Sequence, residues 1–200
     1  MLLMRLKRRK SNSCPRRNER GAALVETALV FPLLLIMVGG IIEFGVGFQE
    51  SAAISSAARA GARSASAMPK NQAFAIAAAD AASGQLAGVD DDAPVAVWIF
   101  RVAPGTSKPI GQLGSCTDCQ GFAWSAATQR FDTSVQLPGS TPWSVTSQNA
   151  CAGVSDQVGV AVVLKHDYLF GMFGSVKTLT KTSVMRLEPF IGATPCAAGS

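Results

Sequence analysis

Hydrophobic and polar positions along the chain fall into three regimes. The first is a run from Ala22 to Ile42, AALVETALVFPLLLIMVGGII, 21 residues that carry one charge, Glu26. As a helix it is about 32 Å long, close to the ~30 Å hydrocarbon core of a bilayer. Lipid offers the backbone no hydrogen-bonding partner, so a lone spanning segment must be helical. Pro32 lies inside the run and has no N–H to offer Ala28, which predicts a modest bend. Glu43 marks the outer interface, and Phe44, Phe48 and Ala52 continue a helical stripe beyond it. Met68-Pro69 ends this stretch. A second, alanine-rich helix is expected from Gln72 to Ala82, capped by Asn71 and broken by Ser83-Gly84.

The third regime has period two. Val95, Val97, Ile99 and Arg101 alternate with Ala96, Trp98, Phe100 and Val102, which predicts a strand buried on both faces. Phe122 and Trp124 share one face of a short strand. Thr128-Gln129-Arg130 reads as a hairpin leading to another strand at Phe131. Val158–His166 and Lys177–Leu187 are two more. The sum is four to six strands, mostly antiparallel, following a long N-terminal helix: an α+β plan. The apolar connection Tyr168 to Gly174 either tucks into the core or meets the membrane surface or a neighbouring subunit, which makes Phe170 a candidate contact.

Charge changes the picture at one end only. Residues 1–21 hold eight Lys and Arg against Glu19, a net of +7, which leaves −2 for the rest of a chain whose net charge is +5. A nucleic-acid site needs a basic face on a fold, so this class is excluded. A basic block beside an apolar helix instead orients it, N-terminus in the cytoplasm. A cleaved secretory signal is the rival reading. Its apolar region is shorter than this run, however, and Gly45-Val46-Gly47 is a poor cleavage site. Arg59 and Arg63 stand at i, i+4 with no acid one turn earlier, so they are solvated or pair with acids of a neighbour or of the chain's own sheet.

Candidate chemistry is sparse. Cys116, Cys119, Cys151 and Cys196 lie beyond the apolar run, opposite the basic block, where disulfides form; Cys14 lies in the leader. Four cysteines allow three pairings, and the order of residues does not choose among them. Cys116-Thr117-Asp118-Cys119 lacks the following helix that lowers thiol pKa in redox enzymes. Zinc needs four ligands, and His166, the sole histidine, reads as an ordinary strand residue. Asp90-Asp91-Asp92 lacks the spacing and the glycine of a calcium loop. No nucleophile elbow or phosphate loop occurs. The expectation is a protein that is not an enzyme, with no cofactor and no metal.

Glu26 is the odd residue. A carboxylate at the centre of a membrane helix costs roughly 2.5–3.5 kcal/mol, and less near an interface. It gains a partner if the chain is cut after Gly21, because Ala22 then carries a new α-ammonium about one turn away. The amine of one subunit and the carboxylate of a neighbour could then pair. Arg20-Gly21-Ala22-Ala23-Leu24-Val25-Glu26 resembles the prepilin junction of type IV pilins, with a basic leader ending in Gly and Glu at the fifth mature position. Residues 21–63 are similar to the TadE-like pseudopilins of tight-adherence (Tad/Flp) pilus systems. Gly21–Pro32, Ile41-Ile42-Glu43-Phe44-Gly45 and Ala57-Ala58-Arg59-Ala60-Gly61-Ala62-Arg63 carry the match. Met185–Pro189 resembles the end of many members, and residues 64–176 resemble nothing named.

The resemblance implies cutting between Gly21 and Ala22 by a membrane prepilin peptidase, with Glu26 in assembly. Thr27 in place of the tyrosine of major Flp pilins, and a mature chain of 179 residues, point to a minor subunit. The expected organisation is a cytoplasmic leader (1–21), a transmembrane helix (22–43), a helical extension with a second helix (44–88) and an exported, loop-rich β domain (89–200). The expected place is the cell membrane, or a pilus. The implied partners are the membrane, the peptidase, other pilin-like subunits and the pilus platform proteins. The alternative is a membrane-anchored extracytoplasmic binding module that never enters a filament.

Overall fold

The computed structural model describes residues 19–90, 92–170, 174–191 and 196. The basic block with Cys14, Asp91, and Gly171 to Phe173 of the apolar connection lie outside the described residues. The chain divides into two compact units between Ile42 and Glu43. Helix α1 is Glu19–Ser66, and Pro32 lies within it. In the first unit the side chains from Gly21 to Met37 are all exposed. Among the described residues this is the one helix long and apolar enough to cross a membrane. For a water-facing helix such a surface would be costly, whereas against lipid it is the expected one.

The second unit is built on small residues. After Glu43, α1 buries Glu50, Ile54, Ala57, Ala58, Ala62 and Ala65, a repeat that keeps to one helical face. Phe44, Phe48 and Ala52 are exposed, so the buried stripe is not the one their spacing suggests. The reason is steric. A Cβ on Gly61 would lie 3.0 Å from the carbonyl oxygen of Ala78 and 3.0 Å from Val160 Cγ1. Alanine and glycine let the helix approach that closely; phenylalanine does not.

Helix α2 (Phe74–Ser83) buries Phe74, Ala75, Ala78, Ala79 and Ala82 into the same core. It starts later than expected because Asn71 is not its cap. The Asn71 side chain instead accepts the Ala73 N–H at 2.9 Å, in the turn before the helix. The helix ends at Gly84 as expected, with the Ser83 hydroxyl donating to the Ala79 carbonyl at 2.8 Å. That same hydroxyl oxygen accepts the Phe131 N–H at 3.0 Å, which ties the helix to the sheet.

Among the described residues seven strands follow: β1 Pro94–Arg101, β2 Ile110–Gln112, β3 Ser115–Thr117, β4 Cys119–Ser125, β5 Arg130–Gln136, β6 Gln157–Asp167 and β7 Val176–Arg186. Five form an antiparallel sheet of order β5-β4-β1-β6-β7, and β2 pairs with β3 in a separate ribbon. The α+β plan and its mostly antiparallel strands are thus present. The short ribbon was not expected, because its residues carry no apolar alternation. The central strand β1 is buried on both faces. Val97 and Ile99 meet the helices, while Ala96, Trp98 and Phe100 join Cys116, Cys119 and Ala161 on the other side. Trp98 lies opposite Gly121 and Phe100 opposite Gly159 in the register. A Cβ on Gly121 would come within 2.6 Å of the Trp98 ring, so the glycine makes room for the indole.

Among the described residues two disulfides form, Cys116–Cys119 and Cys151–Cys196. The first closes a tight turn over the back of the sheet. The second holds the end of the chain beside Ala150, whose N–H donates to the Cys196 carbonyl at 2.8 Å. Its two cysteines are 45 positions apart. In the chain-entropy account, removing it with Cys151→Ser/Cys196→Ser costs about 4 kcal/mol, against about 2 kcal/mol for Cys116→Ser/Cys119→Ser. Urea unfolding of the full chain in detergent, followed by near-ultraviolet circular dichroism, should rank the two pairs in that order.

Candidate functional site

In the first unit, Gly21, Ala22 and Glu26 lie on exposed helix. The Thr27 hydroxyl donates to the Ala23 carbonyl at 2.8 Å, which satisfies it within the helix. Glu26 faces outward beside Thr27, Val30, Phe31 and Leu34, which line a shallow groove. Among the described residues no ion pair or hydrogen bond engages its carboxylate. The side chain is presented to whatever surrounds the helix.

In the second unit a polar cluster sits at the end of the sheet where the unit begins. Strand β6 alternates Val158, Val160, Val162 and Leu164 toward the helices, and His166 is the next residue on that face. Its ring is therefore carried into the interior, where it is 4% exposed. His166 Nδ1 lies 2.7 Å from Glu50 Oε2, and its Nε2 lies 4.0 Å from Glu43 Oε1. Glu43 and Glu50 are seven residues apart on α1 and so share a face. Gly47 lies between them, and a Cβ there would only touch the ring, at 3.6 Å from Nε2. The Tyr168 ring meets the imidazole edge-on, with centroids 4.9 Å apart.

Glu43 has a second task. Its carboxylate accepts the N–H of Leu169 at 2.8 Å and of Phe170 at 3.2 Å. These donors lie in the connection between β6 and β7, where no strand partner serves them. Glu43 is 1% exposed. A buried polar group must be hydrogen-bonded, and the two N–H donors serve this carboxylate. Leu169 and Phe170 themselves stay more than half exposed, so the connection does not tuck into the core at these two positions.

The remaining candidates are spread out. Arg59 and Arg63 are exposed on α1, and no ion pair among the described residues includes them. Arg101 pairs with Asp156 at 3.0 Å and with Asp118 at 3.5 Å, and lies over the Trp143 ring. This network joins the end of β1 to the loops that follow. His166 lies in a strand, β6, as its pattern suggests, and it faces the interior. The signal was available: five positions in β6 at period two, four of them aliphatic, put the fifth in the core. What the spacing could not reveal was that Glu43 and Glu50 wait there.

Residues 21–63 match the family model of TadE-like proteins. The match covers the apolar run, Glu43, Glu50 and the glycine–alanine face of α1. No curated protein and no solved structure matches the chain.

His166→Leu leaves the Glu50 carboxylate without its hydrogen-bond partner and should destabilise the second unit by about 2–3 kcal/mol, towards the upper end of the cost of a buried polar group left unserved. Glu50→Gln keeps a hydrogen-bonding oxygen for Nδ1 and should cost about 1 kcal/mol. Thermal unfolding of the full chain in detergent, read by near-ultraviolet circular dichroism, separates the two.

Proposed function

We propose that this chain, TadE-like over residues 21–63, is a structural, non-enzymatic component of a Tad-type pilus or a related secretion apparatus: a minor pseudopilin anchored by its N-terminal helix. The observation that carries the reading is Glu26. It is the lone acid of the 22–42 run, five positions after Gly21, and no described residue of its own chain engages it. Its partner then comes from another chain. Cutting by a prepilin peptidase between Gly21 and Ala22 frees an α-amine that answers it in a neighbouring helix, and the pair sets the register of packing.

The rest of the chain fits a subunit that docks rather than catalyses. The basic leader faces the cytoplasm, and the sheet unit is exported to the side where its disulfides are stable. There Arg59 and Arg63 offer surface to other pilin-like subunits or to the platform proteins.

Two measurements test this. Intact mass and N-terminal sequencing of the protein from native membranes should find Ala22 first; a chain that keeps residues 1–21 refutes the processing step and favours a permanent anchor. Glu26→Ala should reduce co-purification of other pilin-like subunits several-fold, consistent with the ~1–2 kcal/mol of a polar contact between membrane helices. Equal recovery of partners with Glu26→Ala would remove the assembly role of the carboxylate.

A further inference from the structure

We infer that the end of the sheet unit next to Glu43 is a lipid-docking surface, with Phe48, Leu169 and Phe170 seated in the interfacial headgroup layer. The inference rests on the 22–42 run being the membrane span, and not on the pilus role.

Connectivity supplies the first argument. Glu43 follows the apolar run directly, so it stands where the chain leaves the hydrocarbon. Its carboxylate binds the backbone of Leu169 and Phe170, which keeps that connection within hydrogen-bond reach of the exit point. Phe48 is five residues along the helix from Glu43, a rise of about 7.5 Å, which is the thickness of the interfacial layer on one side of a bilayer. Phe48 is 74% exposed and Phe170 53%, and Leu169 and Val176 are also more than half exposed. Between the helix and β7, Gly47, Phe48, Ser51, Tyr168, Lys177 and Leu179 line an open apolar groove of about 200 Å³.

Backbone chemistry supplies the second. In water, the N–H groups of an exposed loop are served by solvent and need no protein acceptor. Against lipid they have none, and each one left unserved costs several kcal/mol. Glu43 serves two consecutive N–H groups in the very segment whose side chains are apolar and exposed. A second copy of the chain could also cover apolar side chains, but it offers no account of why this patch lies beside the exit point. Charge does not drive the contact: Lys165 and Lys177 are offset by Asp90, Asp92 and Asp167 at the same end. Zwitterionic lipid should therefore suffice.

The test uses the full chain with Phe48→p-benzoylphenylalanine or Phe170→p-benzoylphenylalanine. Each variant is reconstituted into vesicles of phosphatidylcholine carrying an alkyne-tagged phosphatidylcholine and irradiated. Val154→p-benzoylphenylalanine is the control. That residue is 67% exposed but precedes β6, at the far end of the strand from His166. Leu33→p-benzoylphenylalanine, in the apolar run, confirms insertion by its own lipid adduct. The expected result is a lipid adduct at positions 48 and 170 at least five-fold above that at 154. Lipid labelling at 48 and 170 no higher than at 154 overturns the inference. In that case crosslinks to a second copy would assign the patch to the neighbouring subunit. Lipid adducts on a chain that still carries residues 1–21 would leave the inference standing while the processing step of the proposed function fails.

Discussion

Close approach between α1 and the sheet is the constraint on which the second unit depends. Ala57, Ala58, Gly61, Ala62 and Ala65 present almost no side chain, so the helix backbone comes down onto β6 and onto α2 together. Their own burial contributes little, because an alanine removes little apolar area from water. The return comes from what they bring into contact: Ile54, Val97, Ile99, Val158, Val160, Val162 and Leu164 are all at or near zero exposure. Each such side chain is worth roughly 1.5–3 kcal/mol. A larger residue at position 61 would push the helix away from all of them at once, which makes this packing a shared requirement and not a sum of independent contacts.

The same closeness accounts for the polar cluster. Once α1 lies against β6, Glu43 and Glu50 have no route to water, and the sheet must answer them. His166 does so from the next inward position of β6, and the N–H groups of Leu169 and Phe170 complete the set. The helix face thus changes character along its length, from alanine and glycine over the sheet to acids at its membrane-proximal end. That change converts a packing face into a clasp that holds the β6–β7 connection in place.

The two units divide the work. The first holds the 22–42 run, a helical stretch with an apolar outer surface and one acid, suited to a lipid or helical environment. The second is a disulfide-bonded sheet whose described residues hold no cluster of His, Cys, Asp and Glu able to bind a metal. Family likeness is confined to residues 21–63. It therefore ends before α2 and the sheet begin, and the specific surface of this chain lies in the part that resembles nothing named.

Local order along the chain determined a good deal by itself. The 22–42 run, the TadE-like match over residues 21–63, the antiparallel strands and the twice-buried β1 all rest on periodicity or on contiguous residues, and these are properties of neighbours in the chain. The boundaries of α2 were less legible, because alanine carries helical propensity without marking where the cap falls. Only the tertiary structure decided the rest. It paired Cys116 with Cys119 and Cys151 with Cys196, turned Phe48 outward and Gly61 inward, and set His166 between two acids more than a hundred residues away. Each of these is a question of which distant segments come close. Steric fit at the α1–β6 contact answers it, and no pattern read along one segment contains that fit.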